Sequence, residues 1–169
     1  MIIEPYAPCD RTFVLGGLVK GLAQLDVAAG VDAATSARWA YGAAVRYLGR
    51  GTAKVYVLSI PPFQAPRGFL AAETLQGVLA SHYLWVEPSW RRTGAANALL
   101  DAAHGAGVPV IATNMTVEGR ELLSSRRYEY VPQVWRSLQE LDDWKLAGST
   151  RHHTKQFLAA AEWLASERP

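Results

Sequence analysis

The spacing of apolar residues divides the amino-terminal third of the chain into helical segments. Apolar side chains recur every three or four positions over 11–25 and again over 32–48, which predicts two amphipathic helices. Asp10 stands where the first helix would be capped. Three glycines lie inside that helix, and they predict that it is either bent or tightly packed.

Runs rich in β-branched and aromatic residues, bounded by glycine, proline and polar residues, predict extended segments. The predicted strands are 1–7, 54–59, 68–73, 78–86, 108–112 and 128–138. The segment 61–66 contains three prolines and is predicted to be a turn, whereas the short connection after 73 favours an antiparallel hairpin. Further helices are predicted at 93–104, 118–125 and 154–166.

Composition narrows the classes of function. The 169 residues carry 17 basic and 15 acidic side chains, a balance that argues against a general nucleic-acid binder. Cys9 is the single cysteine, which excludes an internal disulfide and a cysteine-based metal site. The chain has neither a signal-peptide pattern nor an apolar run of about 18 residues. We therefore expect a cytoplasmic protein with no metal and no membrane contact.

The strongest chemical signal is the run 83–100, in which a strand ends, a polar turn follows and a helix begins with small residues. A helix start exposes backbone N–H groups and the positive end of the helix dipole, and so binds phosphate. Gly94 and the two alanines after it let a ligand approach the backbone, and Arg91 and Arg92 add positive charge. The run predicts a phosphate site.

The same run resembles the cofactor-binding turn of the GCN5-related N-acetyltransferase (GNAT) family. That family carries Gln/Arg-x-x-Gly-x-Gly/Ala after an apolar-x-Val-x-Pro lead-in, and 91–96 and 84–88 match these two patterns. The order of predicted elements is also similar. The resemblance implies an α/β (α+β) fold over 1–140, in which a mixed, mostly antiparallel central sheet is flanked by helices. A helical extension would occupy 141–169.

The resemblance further implies that acetyl-CoA is the co-substrate, with its pyrophosphate on the turn and its pantetheine arm along the fourth strand. The implied cofactor-binding residues are Leu84, Trp85, Val86, Arg91, Arg92, Thr93, Gly94, Ala95, Ala96 and Asn114. For Asn114 two roles stay open, since it stands where it would either contact the cofactor arm or cap the next helix.

Catalysis in that family is direct attack of an amine on the thioester, aided by a base and often by a tyrosine acid. His82 and Glu73 are alternative candidate bases, and for each a purely structural role in its strand is the competing interpretation. The position of the acid corresponds to Leu123, which cannot donate a proton. Its neighbour Ser124 is the candidate substitute, with an ordinary surface serine as the alternative.

Two hypotheses of function follow. The first is acetyl transfer to an unidentified amine of a small molecule or a protein. The second starts from 13–22 and 82–86, which are similar to stretches in a phage-encoded branch of the fold. It makes the chain a catalytically degenerate virion or morphogenesis module that binds phage structural proteins. A homodimer is compatible with both hypotheses.

Overall fold

A computed structural model describes residues 1–23, 32–104, 108–114 and 117–132. Within these residues there are six strands, namely β1 (Ile2–Pro5), β2 (Ala53–Ile60), β3 (Phe63–Leu75), β4 (Val78–Val86), β5 (Val110–Ala112) and β6 (Glu129–Tyr130). There are four helices, namely α1 (Arg11–Leu22), α2 (Ala33–Leu48), α3 (Ala95–His104) and α4 (Val117–Arg126). The predicted helix at 154–166, the extension 141–169 and most of the strand predicted at 128–138 lie outside the described residues.

The six strands form one sheet in chain order, from β1 at one edge to β6 at the other. The pairs β1–β2, β2–β3 and β3–β4 are antiparallel, whereas β4–β5 and β5–β6 are parallel. The predicted fold class, a mixed and mostly antiparallel sheet flanked by helices, is therefore confirmed. None of the described helices is long and apolar enough to cross a membrane.

The helices cover both faces of the sheet and bury a separate apolar core on each. On one face α1 and α2 pack on β2 and β3 through Val14, Leu18, Leu22, Ala40, Ala43, Ala44, Tyr47, Val55, Val57, Phe69 and Ala71. On the other face α3 packs through Leu58, Ile60, Leu70, Ala72, Leu79, Val86, Ala95, Leu99, Leu100 and Val110. Side chains of β2 and β3 thus alternate between two cores, as expected for strands in the middle of a covered sheet.

α1 lies unusually close to the sheet because two of its glycines face aromatic rings. A Cβ atom at Gly17 would lie 2.4 Å from the Phe69 ring, and one at Gly21 would lie 2.0 Å from the Tyr83 ring. Of the two predicted possibilities for this helix, tight packing is the one observed. The close approach also brings Phe13 against Trp85, with ring centroids 5.6 Å apart.

The structure corrects several predicted boundaries. The segment 61–66 is not all turn, because β3 already begins at Phe63 and Pro66 pairs with Ser59 across an irregular register. Proline is tolerated there because β4 pairs with β3 only from Gly68 onward, which leaves Pro66 on a local edge. β5 begins two residues later than predicted, after Pro109, which has no N–H to donate.

The predicted cap of α1 is also different. The Asp10 carboxylate makes no cap to that helix and instead accepts a hydrogen bond from the Ala7 N–H at 2.9 Å, closing a short 3₁₀ turn over Pro8–Asp10. The second helix is capped by Asp32. The Asp32 side chain accepts hydrogen bonds from the backbone N–H groups of Ala34 and Thr35.

The contact between Gly17 and Phe69 yields a stability prediction. We expect Gly17→Ala to destabilise the fold by about 1–3 kcal/mol, because the added methyl group must displace a fully buried ring. Gly16→Ala is the matched control, since a Cβ there meets nothing within 4 Å. That variant should stabilise the helix by up to about 1 kcal/mol. Urea denaturation of both variants measures the difference, and equal stabilities would contradict the packing described.

Candidate active site

A β-bulge places the consecutive side chains of His82 and Tyr83 in β4 on the same face of the sheet. Ala71 of β3 lies opposite Tyr83 and Ala72 lies opposite Ser81, so His82 is the extra residue of the bulge. The His82 ring lies 5.5 Å from the Tyr47 ring, and Tyr83 lies 5.8 Å from Phe69. Both side chains therefore point toward the core beneath α1 and α2.

β4 and β5 separate immediately after this bulge. Their parallel register runs from Leu79–Val110 to Ser81–Ala112, and the Thr113 N–H then donates to the Ser81 carbonyl at 3.0 Å. The Asn114 side-chain amide donates to the His82 carbonyl at 3.0 Å. Within the described residues the ladder with β5 does not continue to 84–86. Among the described residues, none therefore pairs with the backbone of 84–86 on the side of β5.

The turn that follows β4 leads from this edge to the start of α3. It passes through a 3₁₀ turn at Pro88–Trp90, and then through Arg92 and Gly94 with φ angles of 63° and 89°. Such left-handed backbone explains why α3 begins at Ala95 rather than at the predicted Thr93. The first helical hydrogen bond from this turn joins the Ala98 N–H to the Gly94 carbonyl at 2.9 Å.

Side chains of the turn hold its shape. The Arg91 Nε–H donates to the Val86 carbonyl at 3.2 Å, and the Thr93 hydroxyl donates to the Trp90 carbonyl at 2.8 Å. Both arginines at 91 and 92 are exposed, while Ala95 is buried against the core. The exposed residues 91–94 therefore lie between the end of β4 and the first turn of α3, while Ala95 faces the core.

A network of hydrogen-bonded polar side chains leads along the sheet to the point where β4 and β5 separate. The Arg50 guanidinium donates to Glu73 Oε2 at 2.9 Å, and the Thr52 hydroxyl donates to Glu73 Oε1 at 2.5 Å. His82 Nε2 lies 2.9 Å from Glu73 Oε2, and its Nδ1 lies 2.8 Å from the Thr113 hydroxyl. Glu73, His82 and Thr113 are at most 1% exposed. The network therefore joins the loop after α2 to β3, β4 and the end of β5.

The protonation states of Glu73 and His82 in this network follow from their surroundings. Burial alone would raise the pKa of Glu73, but hydrogen bonds from His82 and Thr52 and the charge of Arg50 outweigh it and hold this pKa at about 2. Burial lowers the pKa of His82 against the opposing influence of Glu73. An ionised carboxylate only accepts hydrogen bonds, so Nε2 carries the proton of a neutral imidazole. Nδ1 then accepts from the Thr113 hydroxyl.

Tyr47 closes the network from the side of α2. Its hydroxyl donates to the Ala72 carbonyl at 2.8 Å and also lies 3.2 Å from the Lys54 carbonyl. Burial raises its pKa well above the ordinary value, so that the phenol stays protonated. The Arg50 guanidinium also lies 5.9 Å from the centre of the Tyr47 ring, within the range of a cation–π contact.

The structure brings some of the predicted site residues together and leaves others apart. Glu73 and His82, proposed as alternative bases, form one hydrogen-bonded pair. Asn114 bonds to β4 across the point of separation. Ser124 is exposed on α4, and the hydrogen bonds described for the Glu73–His82 pair do not reach it. The side chain of Leu123 lies outside the described residues.

Four members of the network were missed by sequence reasoning, namely Tyr47, Arg50, Thr52 and Thr113. Arg50 and Thr52 belong to a segment that the sequence marks only as the end of a helix. Thr113 stands directly before the predicted Asn114 at the end of a buried strand. A polar residue at the end of such a strand was the available signal, since loops after buried strands commonly carry functional side chains.

The lowered pKa values of His82 and Glu73 predict how stability depends on pH. Because both groups bind protons more weakly when folded, the unfolded chain takes up more protons in acid and stability falls with falling pH. His82 contributes to this loss below its ordinary pKa of 6.5, and Glu73 contributes below 4.5. Each group should lower the free energy of unfolding by up to about 1.4 kcal/mol per pH unit.

Urea titrations at pH values between about 7.5 and 5 measure this dependence. His82→Gln keeps two hydrogen-bonding groups but does not titrate, so its stability should fall less steeply over the same interval. Identical slopes for the variant and the wild type would contradict a buried neutral His82.

Comparisons with known proteins agree with this geometry. No family model and no curated protein matches the chain, but solved structures do. A GCN5-related N-acetyltransferase of Ralstonia eutropha JMP134 is 17% identical with a TM-score of 0.53, over 77% of this chain and 93% of that one. A protein of Corynebacterium glutamicum ATCC 13032, a histone acetyltransferase HPA2 and related acetyltransferase, is 13% identical with a TM-score of 0.54, over 73% and 81%.

A third similar structure is a GCN5-related N-acetyltransferase of Rhodopseudomonas palustris, which is 19% identical with a TM-score of 0.51 over 74% of this chain and 79% of that one. At such low identity these likenesses establish the fold and not the activity. The chain has the fold of the GCN5-related N-acetyltransferases.

Proposed function

We propose that this protein is an acyl-CoA-dependent N-acyltransferase that moves an acetyl group from acetyl-CoA to the amine of a small molecule or a protein. The observation that carries the proposal is the separation of β4 from β5 beyond the rung between Ser81 and Ala112. The exposed edge leads directly into the left-handed turn at Gly94 and the start of α3. The strand edge would bind the pantetheine arm that carries the thioester, and the start of α3 would bind the pyrophosphate that follows it.

The start of α3 supports a pyrophosphate site. Its first backbone N–H groups have no partner within the helix, and the helix dipole places roughly half a positive charge at this end. Arg91 and Arg92 are exposed beside it. Arg91 is fixed to the Val86 carbonyl, so its charge is held close to the end of the strand. Backbone donors and positive charge thus converge on one surface.

The exposed edge of β4 supports a pantetheine site. The three residues 84–86 span roughly 10 Å at the usual rise of a strand. This length suits an arm that carries two amides and pairs with backbone groups in the manner of an added strand. The thioester end of such an arm would lie near His82 and Thr113, because that is where the two strands rejoin.

Direct transfer requires a neutral amine and a thioester held in place beside it. The amine nitrogen attacks the carbonyl carbon, and the C–S bond then breaks to release the CoA thiolate. Holding both reactants at the point of separation accounts for much of the rate of such a reaction, because orientation replaces a chance encounter. The acceptor stays defined only by its class, an amine.

Calorimetric titration with acetyl-CoA and with desulfo-CoA tests the proposal. We expect both to bind, and we expect Gly94→Val to weaken binding by at least about tenfold, or about 1.4 kcal/mol. A side chain at φ 89° is strained and would stand where the phosphates approach.

Gly77→Val is the matched control, because Gly77 has a φ of 80° and equally open surroundings in the β3–β4 hairpin. It should bind both ligands as the wild type does. Failure of the wild type to bind either ligand would contradict the proposal and favour the interaction-module hypothesis. Unchanged affinity in Gly94→Val would show that the turn is not the site.

A further inference from the structure

We propose that the aromatic wall formed by Phe13, Tyr83 and Trp85 over Phe69 is the acceptor site, and that it binds a primary amine joined to an aromatic ring by a short alkyl chain. This inference rests on the proposed function and deepens it, because it names the class of amine that would receive the acetyl group. It starts from a cluster of aromatic side chains beside the part of β4 that β5 does not pair with.

The rings of the aromatic wall contact one another on the face of the sheet that α1 covers. The Phe13 ring stands edge-to-face on both Trp85 and Phe69, with ring centroids 5.6 and 5.9 Å apart. Phe69 also lies 5.8 Å from Tyr83 and 6.4 Å from Trp85. Because Tyr83 and Trp85 are two positions apart in β4, their side chains share this face. The four rings thus form one continuous apolar cluster between α1 and β4.

The aromatic wall is closed on its inner side and keeps solvent-accessible surface on its outer side. Phe69 is fully buried, whereas Phe13, Tyr83 and Trp85 are only partly buried. The rings of Phe13 and Trp85 meet at an interplanar angle of 70°, and Phe69 fills the inner side of the corner that they form. A further ring in the outer corner would meet the face of one ring and the edge of the other, which are the arrangements that aromatic pairs prefer.

The position of the aromatic wall matches the place where transfer would occur. Tyr83 directly follows His82, beside which the thioester end of the arm would lie, and Trp85 stands three positions beyond His82, or roughly 10 Å along the strand. α3 covers the opposite face of the sheet, where Leu84 packs against the core. An acceptor would therefore approach from the side of the aromatic wall. A short alkyl chain spans the distance from a ring on the wall to an amine at the thioester.

The surroundings favour a neutral amine over an ammonium group. The aromatic wall contains no carboxylate, and the Glu73 carboxylate is fully buried with its oxygens bonded to Arg50, Thr52 and His82. An ammonium group loses hydration on an apolar surface, so burial against the wall would lower the pKa of the bound amine. A polyamine carries further charges that need carboxylate partners, and the wall offers none. The wall therefore fits an arylalkylamine better than a polycation.

The transfer balances without a further co-reactant. The ammonium form of the acceptor gives one proton to solvent as the amine binds. Its nitrogen forms the C–N bond with the carbonyl carbon of the thioester, and the C–S bond breaks with its electron pair on sulfur. One of the two protons left on the nitrogen goes to the thiolate. The products are the arylalkyl acetamide, CoA thiol and one proton.

The competing interpretation is that the rings only hold α1 on the sheet. Their loss would then lower the free energy of unfolding without changing which amine is preferred. Phe13→Leu separates the two interpretations, because it removes an outer ring, keeps an apolar side chain and leaves the backbone of β4 intact. Phe13→Tyr keeps the ring. Tyr41→Leu is the matched control, since Tyr41 is an aromatic residue of α2 that is 54% exposed and belongs to neither core.

The experiment measures the release of CoA thiol from acetyl-CoA, with 2-phenylethylamine, propylamine and spermidine as separate acceptors. We expect the wild-type kcat/KM for 2-phenylethylamine to exceed that for each of the other two amines by at least about tenfold, the low end of discrimination by apolar contacts. Phe13→Leu should reduce the preference over propylamine by about fivefold, because one ring–ring contact is lost. Phe13→Tyr and Tyr41→Leu should keep the wild-type preference.

Titration with desulfo-CoA distinguishes failure of this inference from failure of the proposed function. Its affinity should stay within about twofold of the wild type in all three variants, since neither Phe13 nor Tyr41 lies on the turn or on β4. A wild type that binds desulfo-CoA but acetylates none of the three amines, or shows no preference for 2-phenylethylamine, would overturn the inference. A folded Phe13→Leu variant with the wild-type preference would do the same. A wild type that binds no desulfo-CoA would instead overturn the proposed function.

Discussion

The burial of an ionised carboxylate at Glu73 is the constraint on which the arrangement of the site depends. An uncompensated charge in a core costs several kcal/mol, so the surrounding chain must supply partners. Arg50 and Thr52 come from the loop between α2 and β2, and His82 comes from β4. Each partner fixes one neighbouring element against β3. The loop, β3 and β4 therefore cannot shift independently, and removal of one partner would leave a buried charge unbalanced.

The bulge in β4 connects this buried charge to the point where β4 and β5 separate. His82 reaches Glu73 on the face of α1 and α2 because it is the extra residue opposite β3. Its other ring nitrogen meets Thr113, and its carbonyl accepts from Asn114. Consecutive residues after β5 are thereby held at one position of β4, and the strands part beyond them. The point at which β4 and β5 part thus follows from a side-chain network and not from backbone pairing alone.

Much of this architecture could be predicted because its causes are local. The polar turn followed by a helix of small residues, the hairpin of β3 and β4 and the short apolar β5 each follow from residues within one segment. The side-chain contacts between residues far apart in the sequence could not be predicted. Glu73 and Arg50 are 23 positions apart and His82 and Thr113 are 31 apart, so no periodicity links them. The start of β3 was missed for a similar reason, since only the pairing with β2 and the start of the pairing with β4 at Gly68 show that Pro66 lies on a tolerated edge.

A buried Glu73–His82 pair has a chemical consequence beyond stability, and it follows from the position of the charges. With Arg50 positive and Glu73 negative, the three side chains Arg50, Glu73 and His82 together hold no net charge while His82 is neutral. They would gain one positive charge if His82 accepted a proton. Burial lowers the pKa of His82 most and Arg50 lowers it further, against the opposing influence of Glu73, so the imidazole is held neutral in the fold. Thr113 joins this pair to the place where β4 and β5 part, so the network links the buried charges to the end of the β4–β5 ladder.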